Sequence, residues 1–148
     1  MKKFYAESHP GYLLKIAQHE LRKMMDNKLK EIELTTPQYA TLNAIHEYPG
    51  ISNAEIARKS FITPQTSNLI IKNLVERNLI IRKVDSKHGR IQKNTLSEAG
   101  KRLLGTANNY VETAEYELFS SLSREEIKIL TSLLQKILKR KIEKNIFG

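Results

Sequence analysis

Residues 52–96 read SNAEIARKSFITPQTSNLIIKNLVERNLIIRKVDSKHGRIQKNTL. Ser52 and Glu55 have the spacing of a capping box, in which each side chain bonds the other residue's backbone N–H at a helix start. Thr63 followed by Pro64 marks a second helix start, because Thr is a good N-cap and Pro fits the first helical turn. This stretch therefore predicts two short helices joined by a tight turn, which is a helix-turn-helix.

The second half of the stretch predicts a β-hairpin directly after the second helix. Asn78 stands where that helix should end in a left-handed cap, a conformation that asparagine tolerates. Residues 79–84 are rich in β-branched side chains and residues 91–96 alternate, so both are candidate strands around a polar tip at 85–90. A helix-turn-helix followed by a hairpin is a winged helix. We therefore expect a mainly α fold with a small β-hairpin wing.

Long amphipathic helices flank the winged helix on both sides. Apolar side chains recur at steps of three and four from Tyr12 to about Ile32, and again after Ser97 as far as the C-terminal region. Thr36, before Pro37, predicts the start of the helix that follows the first one. A winged helix alone does not need the apolar stripe of the last helix, so we expect the terminal helices to form a dimerisation lobe. The alternative is that both stripes are buried within one subunit.

These elements predict one domain over residues 1–148. Its expected parts are dimerisation helices at about 10–33 and 98–146 and a winged helix-turn-helix at about 36–97.

Composition limits the function classes. The 148 residues include 25 Lys plus Arg and 16 Asp plus Glu, a formal net charge of +9, which points to nucleic acid, an anionic membrane or an acidic protein as partner. The absence of cysteine excludes disulfides, thiolate zinc sites, iron–sulfur clusters and thiol redox switches. No apolar run reaches the roughly 18 residues of a membrane span, and the charged start is unlike a signal peptide. We therefore expect a cytoplasmic protein.

The helix-turn-helix supplies the first set of candidate DNA contacts. The N-terminal end of the second helix enters the major groove in such proteins. Gln and Asn can pair with adenine there, and Thr or Ser can contact bases or phosphates. The alternative is a well-capped polar helix start without a DNA role. The residues predicted to contact DNA are Ser52, Asn53, Thr63, Pro64, Gln65, Thr66, Ser67, Asn68 and Lys72.

The hairpin supplies a second set. Five basic residues and a single acid, Asp85, lie between Arg82 and Lys93. A basic loop can follow the phosphates and place a cation in the minor groove, whose negative potential favours it. The alternative is that these charges serve solubility and protect the sheet edge. The predicted wing contacts are Asp85, Lys87 and Arg90.

Several motifs, taken together, resemble the MarR family of winged-helix bacterial transcription regulators. They occur in order over nearly the whole chain, as LTTPQY at 34–39, PGIS at 49–52, EIA at 55–57, LVERNLI at 74–80, DSKHGR at 85–90 and LSEAG at 96–100. Asp85 and Arg90 match the family's wing pattern Asp-x-Arg-x-x-Arg, whereas Lys87 replaces the middle arginine. Asn78 stands where most members carry glycine, and Leu69 where many carry arginine.

The resemblance implies a homodimer with interleaved terminal helices that binds a near-palindromic operator as a repressor. It also implies a possible small aromatic or anionic effector, bound between the dimerisation lobe and the winged lobe. The alternative for the lining residues is plain core. They are Tyr12, Ile16, Tyr39, Asn43 and Tyr110.

We therefore predict a sequence-specific regulator that binds double-stranded DNA. No enzyme motif is present and the four histidines are scattered, so we expect neither an enzyme nor a cofactor or metal. The C-terminal lysines are typical of a solvated helix face rather than of a membrane contact. The competing hypothesis is a helical interaction module that kept the winged-helix fold but binds an acidic protein.

Overall fold

The structure, a computed structural model, describes residues 6–87, 89 and 92–146, without the side chains of residues 140–146. Short 3-10 turns at Ala6–Ser8 and Lys30–Ile32 bracket the first helix. The predicted mainly helical fold with a hairpin wing is confirmed. In chain order the elements are α1 Pro10–Leu29, α2 Thr36–Glu47, α3 Asn53–Lys59, α4 Pro64–Glu76, β1 Ile80–Val84, β2 Gln92–Leu96, α5 Glu98–Leu118 and α6 Arg124–Ile146.

Side-chain caps set the helix starts, and one differs from the prediction. The box of Ser52 with Glu55 forms as expected, and Ser123 with Glu126 makes the same reciprocal bonds at the start of α6. Helix α2, however, is capped by Thr35, whose hydroxyl accepts from the Gln38 backbone N–H. Thr36 lies one residue further in, and its hydroxyl donates to Asp26 Oδ1 at 2.6 Å. Pro37 fits the first turn with either cap, so its position did not distinguish the two threonines.

The wing is an antiparallel hairpin whose register runs from Ile80 opposite Leu96 to Val84 opposite Gln92. An isolated antiparallel bridge joins Asn94 to Ile51, which lies just before α3. The Asn94 N–H donates to the Ile51 carbonyl at 3.1 Å. The wing is thereby hydrogen-bonded to the start of the helix-turn-helix.

One hydrophobic core supports the helix-turn-helix and the base of the wing. It is built around fully buried leucines and isoleucines from α1 to α4. Ala57 of α3 is buried, whereas Ile62, in the turn between α3 and α4, is only half-buried. The fully buried apolar side chains are Leu29, Leu42, Ile45, Ile56, Ile71 and Leu74.

Three described turns place a non-glycine residue in the left-handed region, at Glu33, Phe61 and Asn78. Asn78 has φ 56°, which confirms the predicted cap after α4. Phe61, in the turn between α3 and α4, has φ 54° although it is neither Gly nor Asn, and its side chain is 95% exposed. A left-handed conformation is unfavourable for such a residue, and the exposed ring gains no burial in return.

The chain forms two compact units, Met1–Ala114 and Glu115–Gly148, divided within α5. In the first unit α1 leaves Tyr12, Leu13, Leu14 and Ile16 between 41% and 47% exposed. In the second unit α6 exposes Ile129, Leu133, Ile137 and Leu138 by 50% to 64%. Among the described residues, no helix combines the length and apolarity that crossing a membrane would require.

Candidate nucleic-acid interface

The N-terminal turn of α4 presents a polar surface. Thr63 caps it by accepting a hydrogen bond from the Thr66 backbone N–H at 3.1 Å, and its hydroxyl donates to Thr66 Oγ1 at 2.9 Å. The remaining backbone N–H groups of this turn carry the positive end of the helix dipole, which favours anions. The exposed residues of this end are Thr63, Pro64, Gln65, Thr66 and Asn68.

Ser67 lies on the opposite side of α4. It is fully buried, and its hydroxyl donates to the Asn53 carbonyl of α3 at 3.3 Å. The residue was predicted to contact DNA, but in this structure it presents no surface to a ligand. Its contact instead joins the two helices of the helix-turn-helix.

The start of α3 is held by its own side chains. The Ser52 hydroxyl and backbone N–H both donate to Glu55 Oε2, at 2.8 and 3.1 Å. These two hydrogen bonds, with nearby Arg58 and Lys59, hold the pKa of the Glu55 carboxyl below its ordinary value. The carboxylate therefore stays charged at neutral pH, and Ser52 contributes to the helix cap as well as to the surface.

A groove of about 950 Å³ runs between α3, α4 and the wing. Four of its lining side chains are cationic and one, Glu55, is acidic, so we call it the basic groove. Its lining residues are Gly50, Ser52, Asn53, Ala54, Glu55, Arg58, Asn68, Lys72, Arg82, Gln92 and Lys93.

Two buried polar atoms belong to side chains that line the basic groove. Within the described part of the chain, Arg82 Nε and Gln92 Oε1 have no hydrogen-bond partner. An unpaired buried donor is costly, and a phosphate oxygen is a strong acceptor for an arginine N–H. The groove thus has the charge and the hydrogen-bonding capacity of an anion site.

The basic groove brings together some of the predicted DNA contacts with other residues. It unites four predicted residues, Ser52, Asn53, Asn68 and Lys72, that come from α3 and α4. Sequence reasoning missed a set that lies on three different elements. Arg82 and Lys93 are among the basic residues of the predicted wing, although neither is predicted to contact DNA. No motif in the sequence marks Arg58 or Gln92 as a site residue. The missed residues are Arg58, Arg82, Gln92 and Lys93.

At the wing tip, Asp85 acts within the protein. Its Oδ1 accepts from the Lys87 backbone N–H at 2.9 Å, and its Oδ2 lies 3.5 Å from Lys93 Nζ. Its side chain is only 13% exposed, so it orients the turn rather than offering a surface. Lys87 is exposed, and Arg90 lies outside the described residues.

The predicted effector residues fall into two groups. Tyr12 and Ile16 are exposed on α1, whereas Tyr39 and Tyr110 pack against the core. The Tyr39 hydroxyl donates to Asn108 Oδ1 at 3.0 Å.

The other two effector candidates also bond within the chain. The Tyr110 hydroxyl donates to the Glu31 carboxylate, which raises the pKa of Tyr110. Asn43 Nδ2 donates to Glu47 Oε1 at 3.4 Å. No group of three His, Asp or Glu side chains suited to a metal ion occurs in the residues that the structure describes.

The capped α4, the hairpin and the groove between them define a winged helix-turn-helix protein. The MarR family model matches residues 32–91, from the end of α1 through the helix-turn-helix to the wing. The HTH-type transcriptional repressor Rv2887 of Mycobacterium tuberculosis is 28% identical over 127 residues, which cover 86% of this chain and 91% of that protein. Both matches agree with the resemblance to the MarR family that the sequence motifs indicate.

Several solved structures share this fold. The crystal structure of Rv2887 in complex with DNA has a TM-score of 0.78 at 26% identity and covers 88% of this chain and 98% of that one. The complex of Rv2887 with salicylic acid has a TM-score of 0.77 at 28% identity, with 90% and 99% covered. Wild-type apo MarR of E. coli shares the fold, with a TM-score of 0.81 at 19% identity over 88% of this chain and 97% of that one.

Proposed function

We propose that this protein is a sequence-specific transcription regulator that represses by binding a near-palindromic operator in double-stranded DNA as a homodimer. The observation that carries the proposal is the basic groove between the capped α4 and the wing. An exposed polar helix end suits the major groove, and four cations beside it suit the adjacent phosphates. The relative Rv2887 is a transcriptional repressor that has been crystallised with DNA, which supports the same activity here.

The twofold assembly is supported by exposed apolar side chains on both terminal helices. Such surfaces on an isolated chain indicate a covered interface, and a twofold dimer places two recognition helices about 34–36 Å apart. Sedimentation equilibrium should give twice the 17.1 kDa of one chain. A stable monomer at micromolar concentration would contradict this part of the proposal.

Effector control is the second part of the proposal. We infer that a small aromatic or anionic molecule releases the operator by favouring a state unfit for DNA. The complexes of Rv2887 with salicylic and p-aminosalicylic acid support this ligand class. Titration of the protein–operator complex with salicylate should release labelled duplex, and Tyr39→Phe should shift the midpoint if that hydroxyl contacts the ligand. As a regulator of this kind, the protein performs no chemical reaction and acts in the cytoplasm.

The test of DNA binding begins with selection of bound fragments from random duplexes. The proposal predicts one enriched near-palindrome, whose affinity falls linearly on a log–log plot against salt concentration. Gln65→Ala should relax the sequence preference, whereas Arg90→Ala should weaken binding broadly. An acidic-protein module would enrich no sequence, and that outcome would refute the proposal.

A further inference from the structure

Three asparagine side chains form a relay from the wing to the recognition helix. Asn94 Nδ2, in β2, donates to Asn53 Oδ1 at 2.9 Å. Asn53 Nδ2, in the first turn of α3, donates to Asn68 Oδ1 in α4 at 3.0 Å. Asn94 is buried, Asn53 is half-buried and Asn68 is exposed, and the last two line the basic groove. The relay therefore leads from the protein interior to the surface proposed to meet DNA.

The buried end of the relay determines which amide group of each asparagine donates and which accepts. Asn94 Nδ2 also donates to the Ile51 carbonyl at 2.9 Å. A carbonyl can only accept, so Asn94 must turn its amide nitrogen toward Ile51 and Asn53. Asn53 then presents its oxygen to Asn94 and its nitrogen to Asn68. Asn68 in turn points its oxygen at α3, and its two N–H donors face away from Asn53.

Asn94 lowers the stability of the fold at this buried position. It is 0% exposed, and its Oδ1 has no hydrogen-bond partner in the described part of the chain. A buried unsatisfied oxygen destabilises a fold, and an apolar side chain would avoid that cost. The cost is consistent with a gain in function rather than in stability.

We propose that Asn94 is a positioning residue that fixes the amide of Asn68, so that Asn68 meets DNA as a hydrogen-bond donor. Its target is an acceptor on the duplex, either the guanine O6/N7 edge or a phosphate oxygen. The bidentate pairing with adenine, which needs the amide oxygen as well, is disfavoured because Asn53 holds that oxygen. The inference rests on the proposed function and specifies how one residue of the site is used.

A double-mutant cycle on operator affinity tests the coupling. Asn68→Ala should weaken binding about tenfold, and Asn94→Val should weaken it several-fold. In the Asn68→Ala background, Asn94→Val should have no further effect, because the proposed relay from Asn94 reaches DNA at Asn68. Equal losses in both backgrounds, or no loss in either, would overturn the proposal. Asn27→Ala on α1 is the matched control and should leave affinity unchanged.

Nucleotide analogues identify the acceptor. Duplexes with 7-deazaguanine remove the N7 acceptor, and methylphosphonate linkages remove a phosphate charge and acceptor oxygen. One of these analogues, at one position, should weaken wild-type binding and leave Asn68→Ala unaffected. If the position proves to be an adenine whose N6 amino group is required, Asn68 uses its oxygen and the proposal is wrong.

NMR of the wild-type protein without DNA tests this inference separately from the proposed function. The measured quantity is the rate at which side-chain N–H protons exchange with solvent, so the test does not depend on whether a variant folds. Both side-chain N–H protons of Asn94 should exchange with solvent slowly, as should those of Asn53 to a smaller extent. Those of exposed Asn27 should exchange fast. Fast exchange at Asn94 would refute the relay even if the protein binds its operator. Slow exchange in a protein that binds no duplex would leave the relay intact and refute the proposed function.

Discussion

Lys93 Nζ lies 3.5 Å from Asp85 Oδ2, so an ion pair joins the wing tip to the start of β2. Asp85 Oδ1 also accepts the Lys87 backbone N–H, and the two contacts together fix the turn. Lys93 lines the basic groove, where its charge lies next to the proposed phosphate path. The single acid of the wing thus orders a cationic surface, and its removal should be harmful despite the repulsion between a carboxylate and DNA.

The first prediction follows from this pair. Asp85→Ala should weaken operator binding by about fivefold, because its ion pair with the half-exposed Lys93 contributes up to about 1 kcal/mol to holding the turn. Asp85→Asn keeps an acceptor for Lys87 and should lose less. Fluorescence anisotropy with labelled operator measures both. Net charge alone predicts the opposite sign, so tighter binding by Asp85→Ala would refute a positioning role.

The second prediction concerns the cations of the basic groove. Arg58→Ala and Lys72→Ala should each lower the slope of log K against log salt by about 0.9 for each subunit that contacts DNA, because one phosphate contact is lost. Lys23→Ala on α1 removes the same charge outside the groove, from a lysine that contacts Glu20, and should leave the slope unchanged. Equal slopes for all three variants would show that only total charge matters.

The third prediction concerns the junction between the wing and α5. A Cβ built on Gly100 would overlap the carbonyl oxygen of Leu79, whereas one on Gly105 would meet nothing. Gly100→Ala should therefore destabilise the fold by at least about 2 kcal/mol, since backbone must shift to admit the methyl group. Gly105→Ala lies in the same helix and should stabilise it by about 0.5–1 kcal/mol. Urea unfolding distinguishes these effects, and a tolerated Gly100→Ala would show that α5 does not pack here.

The fourth prediction is a pH dependence. The Ser52 hydroxyl and N–H hold the pKa of Glu55 below its ordinary value of 4.5. A lowered pKa in the folded state adds stability above the ordinary value, and this stability is lost as the pH falls through the lowered pKa. Glu55→Gln should therefore be less stable than wild type at neutral pH, with the difference vanishing well below pH 4.5.

Thermal unfolding across this range measures the difference at each pH. Glu112→Gln removes one carboxylate from α5 and serves as the control for lost charge. A gap between wild type and Glu55→Gln that stays constant with pH would mean that the capping carboxylate does not titrate as described.

Local signals made much of the fold predictable. The caps at Ser52 and Thr63 and the left-handed Asn78 each depend on a few neighbouring residues, so the sequence alone identifies them. The left-handed conformation of Phe61 could not be predicted in this way, because phenylalanine is rare in left-handed turns. Its conformation follows from the crossing of α3 and α4 rather than from its own preference.

The site was only partly predictable because it depends on tertiary placement. Ser67 is polar and lies in an otherwise exposed turn of α4. The rotation of α4 about its own axis nevertheless places the Ser67 side chain against α3, where it is buried. Arg58 and Arg82 lie 24 positions apart on a helix and a strand, and only folding brings them to one groove. Asp85 is predicted to contact DNA, whereas its bonds to Lys87 and Lys93 give it a structural role in the turn that its charge alone does not indicate.

The central claim is that two copies of the recognition helix and wing straddle one duplex. Hydroxyl-radical footprinting of the protein on its selected operator tests it most directly. A dimer bound in this way should protect sites that are related by twofold symmetry and centred about 10 base pairs apart, flanked by protection where the wings reach the minor groove. A footprint with a single asymmetric site, or none at low ionic strength, would contradict it.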